Sequence, residues 1–267
     1  MFSEPVFTWP NDAEVGLSIT FDDARASQLD VAVPVLDAFE IGATFFVLPQ
    51  PLEQRADDWR AVLAAGHEIG NHTATHPCTR NFSFIGKNAL EAYSIDDMEW
   101  EILHRNERIV QCCGVNPIVF AYPCGQTYIG CGTHTRSYVP LVSKHFAAAR
   151  GFPGERHNLP ARCNLDQVFG CPFDNLPFEA VLAMINTARE ERGWLVLVGH
   201  DAGDGRQRQT VDEKTLKMLC EYAADPRNRV CADTFGALAI DIHNWQAEQR
   251  RKKRALEYQR RRRKKGI

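Results

Sequence analysis

No apolar run in this chain approaches the roughly twenty residues of a membrane-spanning helix, and none near its start reaches the roughly seven to fifteen of a secretory core. These absences exclude a helical membrane protein and set the expectation of a soluble, cytoplasmic chain that meets no membrane. The nine cysteines include no Cys-x-x-Cys pair, which removes the usual zinc-knuckle and dithiol patterns. Nine is also odd, so free thiols in a reducing compartment are the simple reading. Cys112 and Cys113 are the adjacent pair open to a vicinal disulfide.

What is present is enough apolar material for a core. The chain has 267 residues, 44% of them hydrophobic, which suits one barrel-sized α/β domain. Its net charge of −3 conceals an asymmetry. Of 31 basic and 34 acidic residues, eleven basic and one acidic fall in the stretch 250–267, leaving 20 basic and 33 acidic in 1–249. The chain therefore divides into an acidic body, 1–249, and a basic tail, 250–267. The tail has two readings: a solvated helix extension lying against the acidic body, or a segment that engages nucleic acid or another anionic surface through counterion release.

The order of elements follows from hydrophobic periodicity. Residues 15–21 (VGLSITF) predict a buried strand. In 27–40 Val31, Val35, Leu36 and Phe39 share a helical face, with Pro34 placing the helix start near itself. A second strand covers 43–48, and a short helix at 59–65 stops at Gly66. The strand 67–70 follows, then a helix over 89–111 with Ile95, Met98, Ile102 and Ile109 in step and Gly114 as its stop. Further strands are expected at 118–121, 147–149, 195–198 and 230–233. Helices are expected at 136–144, 177–191 and 212–224, with a last one from Phe235 that runs toward the tail. Such alternation means a parallel sheet with helical crossovers, and about seven units suggest a closed or nearly closed barrel.

In parallel barrels the chemistry collects where the strands end at their carboxyl side. The residues just past the predicted strands are Asp22 and Asp23, Asn71 to His76, Tyr122 to Gln126, Arg150, and His200 with Asp201. In "NHTATH" His72 and His76 stand four apart, which on a helical turn turns both imidazoles to one face. A carboxylate from another strand end completes a two-histidine, one-carboxylate metal site with room for water. Asp22 and Asp23 repel each other unless a cation neutralises one of them. Trp194 begins a strand and reads as core, and His67, His104, His134, His145, His157 and His243 read as structural or surface residues.

Several of these segments, "TFDD" (20–23), "ATFFV" (43–47), "GHEIGNHTATH" (66–76), "FAYPCG" (120–125) and "LVLVGHD" (195–201), occur in an order that resembles the polysaccharide deacetylases, carbohydrate esterase family four. The resemblance implies a distorted (β/α)7 barrel. It implies that Asp23, His72 and His76 hold a divalent metal, zinc first among zinc, cobalt, nickel and iron. Asp22 is then the general base toward the attacking water. His200 is the acid that protonates the leaving group, and Asp201 orients it or the substrate. The main-chain N–H of Cys124 serves the oxyanion, a role indifferent to its side chain.

Two departures from the pattern stand out. Ala121 occupies the place of an arginine that pairs with the base, leaving Arg150 or Arg162 to fill that role. The Asp and Trp motif that lines the groove is not found between 150 and 176, where Asp166 is the nearest candidate. Tyr122, Tyr128 and Phe173 are candidates for the wall of a sugar groove or for core. The implied activity is removal of an N- or O-acetyl group from a carbohydrate or related small molecule, with an acetylated sugar or oligosaccharide as substrate. The alternatives are a metal-independent amidohydrolase of the same fold, as in allantoinase-like relatives, and a non-catalytic barrel that works through its tail.

Overall fold

A computed structural model describes residues 6–151 and 156–264. Its main sheet holds eight strands: β1 (Val15–Asp22), β2 (Ala43–Val47), β3 (Glu68–Asn71), β4 (Val119–Ala121), β5 (Ala148–Arg150), β6 (Cys171–Pro172), β7 (Trp194–Gly199) and β8 (Val230–Ala232). They lie in the order β5-β4-β3-β2-β1-β7-β6, with β8 also against β1, and their pairings are parallel. The barrel expected from the element count is the fold observed. β1 is its axis because it is buried at all eight positions, as a strand covered on both faces must be. Its first half pairs with β8 and its second half with β2. At the other edge Val168 bridges Arg150 of β5, and Cys171 and Pro172 pair with β7. The segment 168–172 thus joins the two edges of the sheet.

Two buried hydroxyls of β1 are satisfied across the sheet. Thr20 Oγ donates to the Leu197 carbonyl at 2.7 Å, and Ser18 Oγ accepts from Trp194 Nε1 at 3.1 Å. Trp194 is core, as expected. The helix that Pro34 was expected to start begins earlier. Residues Gln28–Ala32 wind as a π turn, with the Val33 N–H reaching back to the Gln28 carbonyl, and the α-helix Val33–Ala38 then receives Pro34 in its first turn, where a missing N–H costs little. The helix Ile95–Cys113 begins later than expected because Leu90–Ala92 is a 3-10 turn and Ser94 with Asp97 forms a capping box. It ends at Gly114, whose φ of 73° suits glycine.

The last helix, Phe235–Lys264, passes through the 249/250 division without a break, and residues 265–267 of the expected tail lie outside the described residues. Its first turn is held from β2 and β3. Glu68 accepts from the Gly236 N–H at 2.9 Å and from Thr44 Oγ at 2.8 Å. A Cβ at Gly236 would meet Glu68 Oε1 at 2.0 Å, so any side chain there would displace the Glu68 carboxylate. Burial pushes the Glu68 carboxyl up to about 7. No helix among the described residues is long and apolar enough to cross a membrane.

Candidate active site

The carboxyl ends of the strands open on a cleft of about 780 Å³ bordered by Asp22, Asp23, His72, His76 and His200. That volume lies within the range of about 300–1,000 Å³ typical of small-ligand sites. Backbone strain gathers at it. Asp23, Ala24, Thr73, His76 and Cys124 all take positive φ, from 51° to 76°, a conformation that non-glycine residues hold only where surrounding contacts fix it.

His72 and His76 do share a focus, but not on a helical turn as their spacing predicted. Residues 72–76 form a loop outside any helix. Asn71 Oδ1 accepts from the Thr73 N–H, Thr73 Oγ accepts from the His76 N–H, and the buried Glu101 accepts from the N–H groups of Ala74 and Thr75. Four-residue spacing brought the rings together through this looped path, and their centroids lie 4.9 Å apart. His72 Nδ1 faces the Ala121 carbonyl at 2.9 Å. A carbonyl only accepts, so Nδ1 carries the proton and Nε2 bares its lone pair. Burial and the neighbouring His72 push His76 below the ordinary histidine value, which keeps it neutral.

Both Nε2 atoms converge on Asp23 Oδ1, at 3.7 Å from His72 and 3.8 Å from His76. The donor atoms of a tetrahedral ion with bonds near 2 Å stand about 3.3 Å apart, so the three donors fit a divalent cation with a small inward movement. Asp23 is held in that aim by Arg25, whose Nη2 and Nε donate to Oδ2 at 3.0 and 3.2 Å.

Asp22 is buried and paired. Its Oδ1 accepts from Arg150 Nη2, and Arg150 is wholly buried with its guanidinium 4.9 Å from the Phe46 ring centroid. Burial alone would raise the Asp22 carboxyl. The Arg150 charge, then His72 and His200, outweigh it and hold the carboxyl below its usual value. Of the two arginines considered in place of Ala121, the structure brings Arg150 to Asp22. Arg162 lies on another face, beside Glu191 and Arg192. Gln28 Nε2 ties the site's two halves together, donating to the main-chain carbonyls of Asp22 and His200.

His200 has a partner that sequence reading missed. Asp174 Oδ2 accepts from His200 Nδ1 at 2.6 Å, and Asp174 Oδ1 accepts from the His200 N–H at 3.0 Å. Burial would lower the imidazole pKa, but the Asp174 hydrogen bond and the charges of Asp22, Asp174 and Asp23 raise it. Asp201, expected to orient His200 or the substrate, does not bond the His200 side chain. Its oxygens accept from Arg25 Nη1 at 2.6 Å and Ser27 Oγ at 2.7 Å, so it braces Arg25. Asp166, the nearest candidate for the groove acid, is not at His200 either; its carbonyl accepts from Tyr122 Oη at 2.9 Å. The signal for Asp174 lay in "CPFDN", just past β6, a strand of two residues too short for periodicity to reveal.

Cys124 borders the cleft at φ 51° and is joined by a disulfide to Cys78. This corrects the expectation of free thiols for two of the nine cysteines; Cys112 and Cys113 are free. Disulfides persist in oxidising surroundings, whereas the cytoplasmic expectation implies reduced thiols. Tyr122 borders the cleft with a buried ring packed on Phe120 and Tyr138. Phe173 is core against Phe21, and Tyr128 is exposed on a two-stranded hairpin with Arg136 and Ser137. His67 is buried and bonded to Asp37 and the Ala43 N–H, and none of the other histidines set aside as structural borders the cleft.

Fold and site together define a parallel α/β barrel with a carboxylate and histidine cluster at the carboxyl ends of its strands. Residues 11–141 match the family described as polysaccharide deacetylase, which supports the family resemblance read from the sequence. A chitooligosaccharide deacetylase from Rhizobium leguminosarum bv. trifolii is 33% identical over 112 residues, 42% of this chain and 47% of that protein. The chain spans less than half the length of this relative and of a second chitooligosaccharide deacetylase, from Sinorhizobium fredii (strain NBRC 101917 / NGR234). A Mycobacterium smegmatis crystal structure shares the fold at a TM-score of 0.64 and 15% identity, over 90% of this chain and 94% of that one. A family 4 carbohydrate esterase from Streptomyces lividans in complex with acetate shares it at 0.54 and 17%, over 82% and 92%.

Proposed function

We propose that this chain is a metal-dependent hydrolase that removes an acetyl group, on nitrogen or on oxygen, from a carbohydrate, with an acetylated sugar or oligosaccharide as substrate. One observation carries the reading. Asp22 with its arginine and His200 with its aspartate border the same cleft as the Asp23, His72 and His76 donors. The names of the curated relatives point the same way.

Asp23, His72 and His76 would hold the cation, zinc first, with cobalt, nickel and iron as alternatives. Bound there, it supplies Lewis-acid polarisation and makes water more acidic. Asp22 takes the proton of the attacking water. Arg150 keeps that carboxylate ionised and aimed, since a buried carboxylate with no partner would protonate and lose its function as base. The Cys124 N–H donates to the carbonyl oxygen as negative charge develops on it. His200 then gives its Nε2 proton to the leaving amine or alcohol. Asp174 holds Nδ1, which fixes the tautomer and keeps the imidazolium available to higher pH than for a free imidazole. Arg25 and Asp201 position Asp23, and Tyr122 forms wall. In this reading the body through residue 249 is the catalytic domain, and the basic end of the last helix takes no part in the chemistry.

The test is acetate release from a panel of N- and O-acetylated sugars by the metal-loaded protein and its Asp22→Asn variant. Acetate from at least one carbohydrate, lost in the variant, is the expected result. A parent protein as inactive as the variant on every member would overturn the reading.

A further inference from the structure

The last helix, Phe235–Lys264, changes surroundings along its length. Phe235, Leu238, Ala239 and Ile242 are buried, and Gln246 Nε2 donates to the main-chain carbonyls of Pro160 and Cys163 at 2.8 and 3.0 Å. From Arg250 the helix leaves the body: residues 250–259 and Arg261 are all exposed. The ion pair of this stretch among the described residues, Lys252 with Glu248 at 2.7 Å, is internal to the helix. Of the two readings of the basic tail, a helix lying against the acidic body does not fit this exposure. An anionic surface supplied from outside does.

The charge pattern narrows what that surface is. Basic residues fill 250–254 and 260–265, on either side of 255–259, where Glu257 is the one charged residue. At about 100° per residue, five successive cations surround a helix. Leu256 and Tyr258, both exposed, stand two apart and so project to opposite sides. No apolar stripe results, and a helix needs one to lie in a membrane surface or in the groove of another protein. Like charges three and four apart, as in Arg250 with Lys253 and Arg254, weaken an isolated helix, so a partner with anions on several sides favours this one.

Duplex DNA offers that arrangement. Its major groove, about 12 Å wide, admits a helix of about 10–12 Å diameter between two walls of phosphates. The centres of the two basic clusters lie about ten residues, or about 15 Å, apart along the helix. That spacing suits a helix crossing the groove with one cluster on each wall. The excess of acidic residues in 1–249 is no obstacle, because residues 250–264 extend about 22 Å, beyond the screening length of about 8 Å at physiological salt.

We propose that residues 250–264 form a DNA-binding arm that docks in the major groove through phosphate contacts, with no choice of base sequence. The proposal is independent of the deacetylase reading. Binding of the full chain to a fluorescently labelled DNA duplex is measured by anisotropy across a salt series, beside duplex RNA of equal length, polygalacturonate and phosphatidylserine vesicles. The logarithm of the association constant is expected to fall against that of salt concentration with a slope of about −5 or steeper, as for about six or more neutralised phosphates. Duplex RNA is expected to bind more weakly, because its major groove is deep and narrow.

The combined variant Arg260→Gln, Arg261→Gln, Arg262→Gln and Arg263→Gln keeps good helix formers. It is expected to flatten the slope by about 3–4 and to weaken DNA binding at least about a hundredfold at about 0.1 M salt. The arm stands off the body, so the melting temperature is expected to hold and to rule out misfolding as the cause. A slope that the four substitutions leave unchanged, or no binding of the DNA duplex at the lowest salt, overturns the proposal. So does duplex RNA bound as tightly as DNA, or polygalacturonate or vesicles bound more tightly than either.

Discussion

Arg150→Met is the perturbation that most sharply probes how the site is built. Arg150 has no exposed surface and Asp22 is 6% exposed, so methionine fills the space over Phe46 while leaving a buried carboxylate without its cation. Breaking such a pair from one side costs about 3–5 kcal/mol, most of it the penalty of the stranded charge. For a chain of this size each kcal/mol lowers the melting temperature by about 2–4 °C, so a drop of about 10 °C is expected. Adding Asp22→Asn removes the stranded charge and is expected to restore about 2 kcal/mol. The four proteins of the cycle are compared by urea unfolding followed by circular dichroism, with coincident fluorescence as the two-state check. A cost below about 1 kcal/mol for Arg150→Met, with the two changes additive within about 0.5 kcal/mol, refutes the pairing as the device that keeps Asp22 ionised.

Three further outcomes are expected. The His200 pKa is raised, so its acid form persists above pH 6.5 and is lost as pH climbs through the raised value. Asp174→Asn is expected to move the alkaline limb of kcat/KM to lower pH, and an unmoved limb removes Asp174 from the positioning role. The half-buried Glu68 carries a pKa raised from 4.5 to about 7, so its share of stability is present below pH 4.5 and lost as pH rises through 7. Glu68→Gln is expected to flatten that slope, by at most about 3 kcal/mol, in unfolding curves at pH 5 and pH 8; identical slopes in the two proteins count against it. Alkylation of the denatured, unreduced protein is expected to label seven of the nine cysteines, the free set that excludes Cys78 and Cys124, and nine labelled before reduction removes the disulfide.

Much of the barrel was legible because its long strands are apolar on both faces and its helices keep a regular period. VGLSITF and LVLV read as buried strands without help from tertiary context, and Gly114 closes its helix as a left-handed glycine should. The site was legible only where one short segment carried both the residue type and the strand end, as in TFDD and HTATH. The helical turn expected of HTATH failed because hydrogen bonds donated by its N–H groups to Thr73 Oγ and the distant Glu101 outweigh local propensity. Asp174 takes the orienting role expected of Asp201 for a related reason. Adjacency in sequence placed Asp201 beside His200, yet the imidazole nitrogen points to a loop 26 residues earlier, while Arg25 and Ser27 claim Asp201. Cys78 and Cys124 stand 46 residues apart, and nothing in their spacing joins them.

Metal content measured on the same sample as acetate release tests the central claim most directly. The account predicts about one equivalent of divalent metal per chain, lost in a His72→Ala and His76→Ala variant, and acetate release that chelator abolishes and added metal restores. Less than about 0.2 equivalents bound, with acetate release unaffected by chelator, contradicts it.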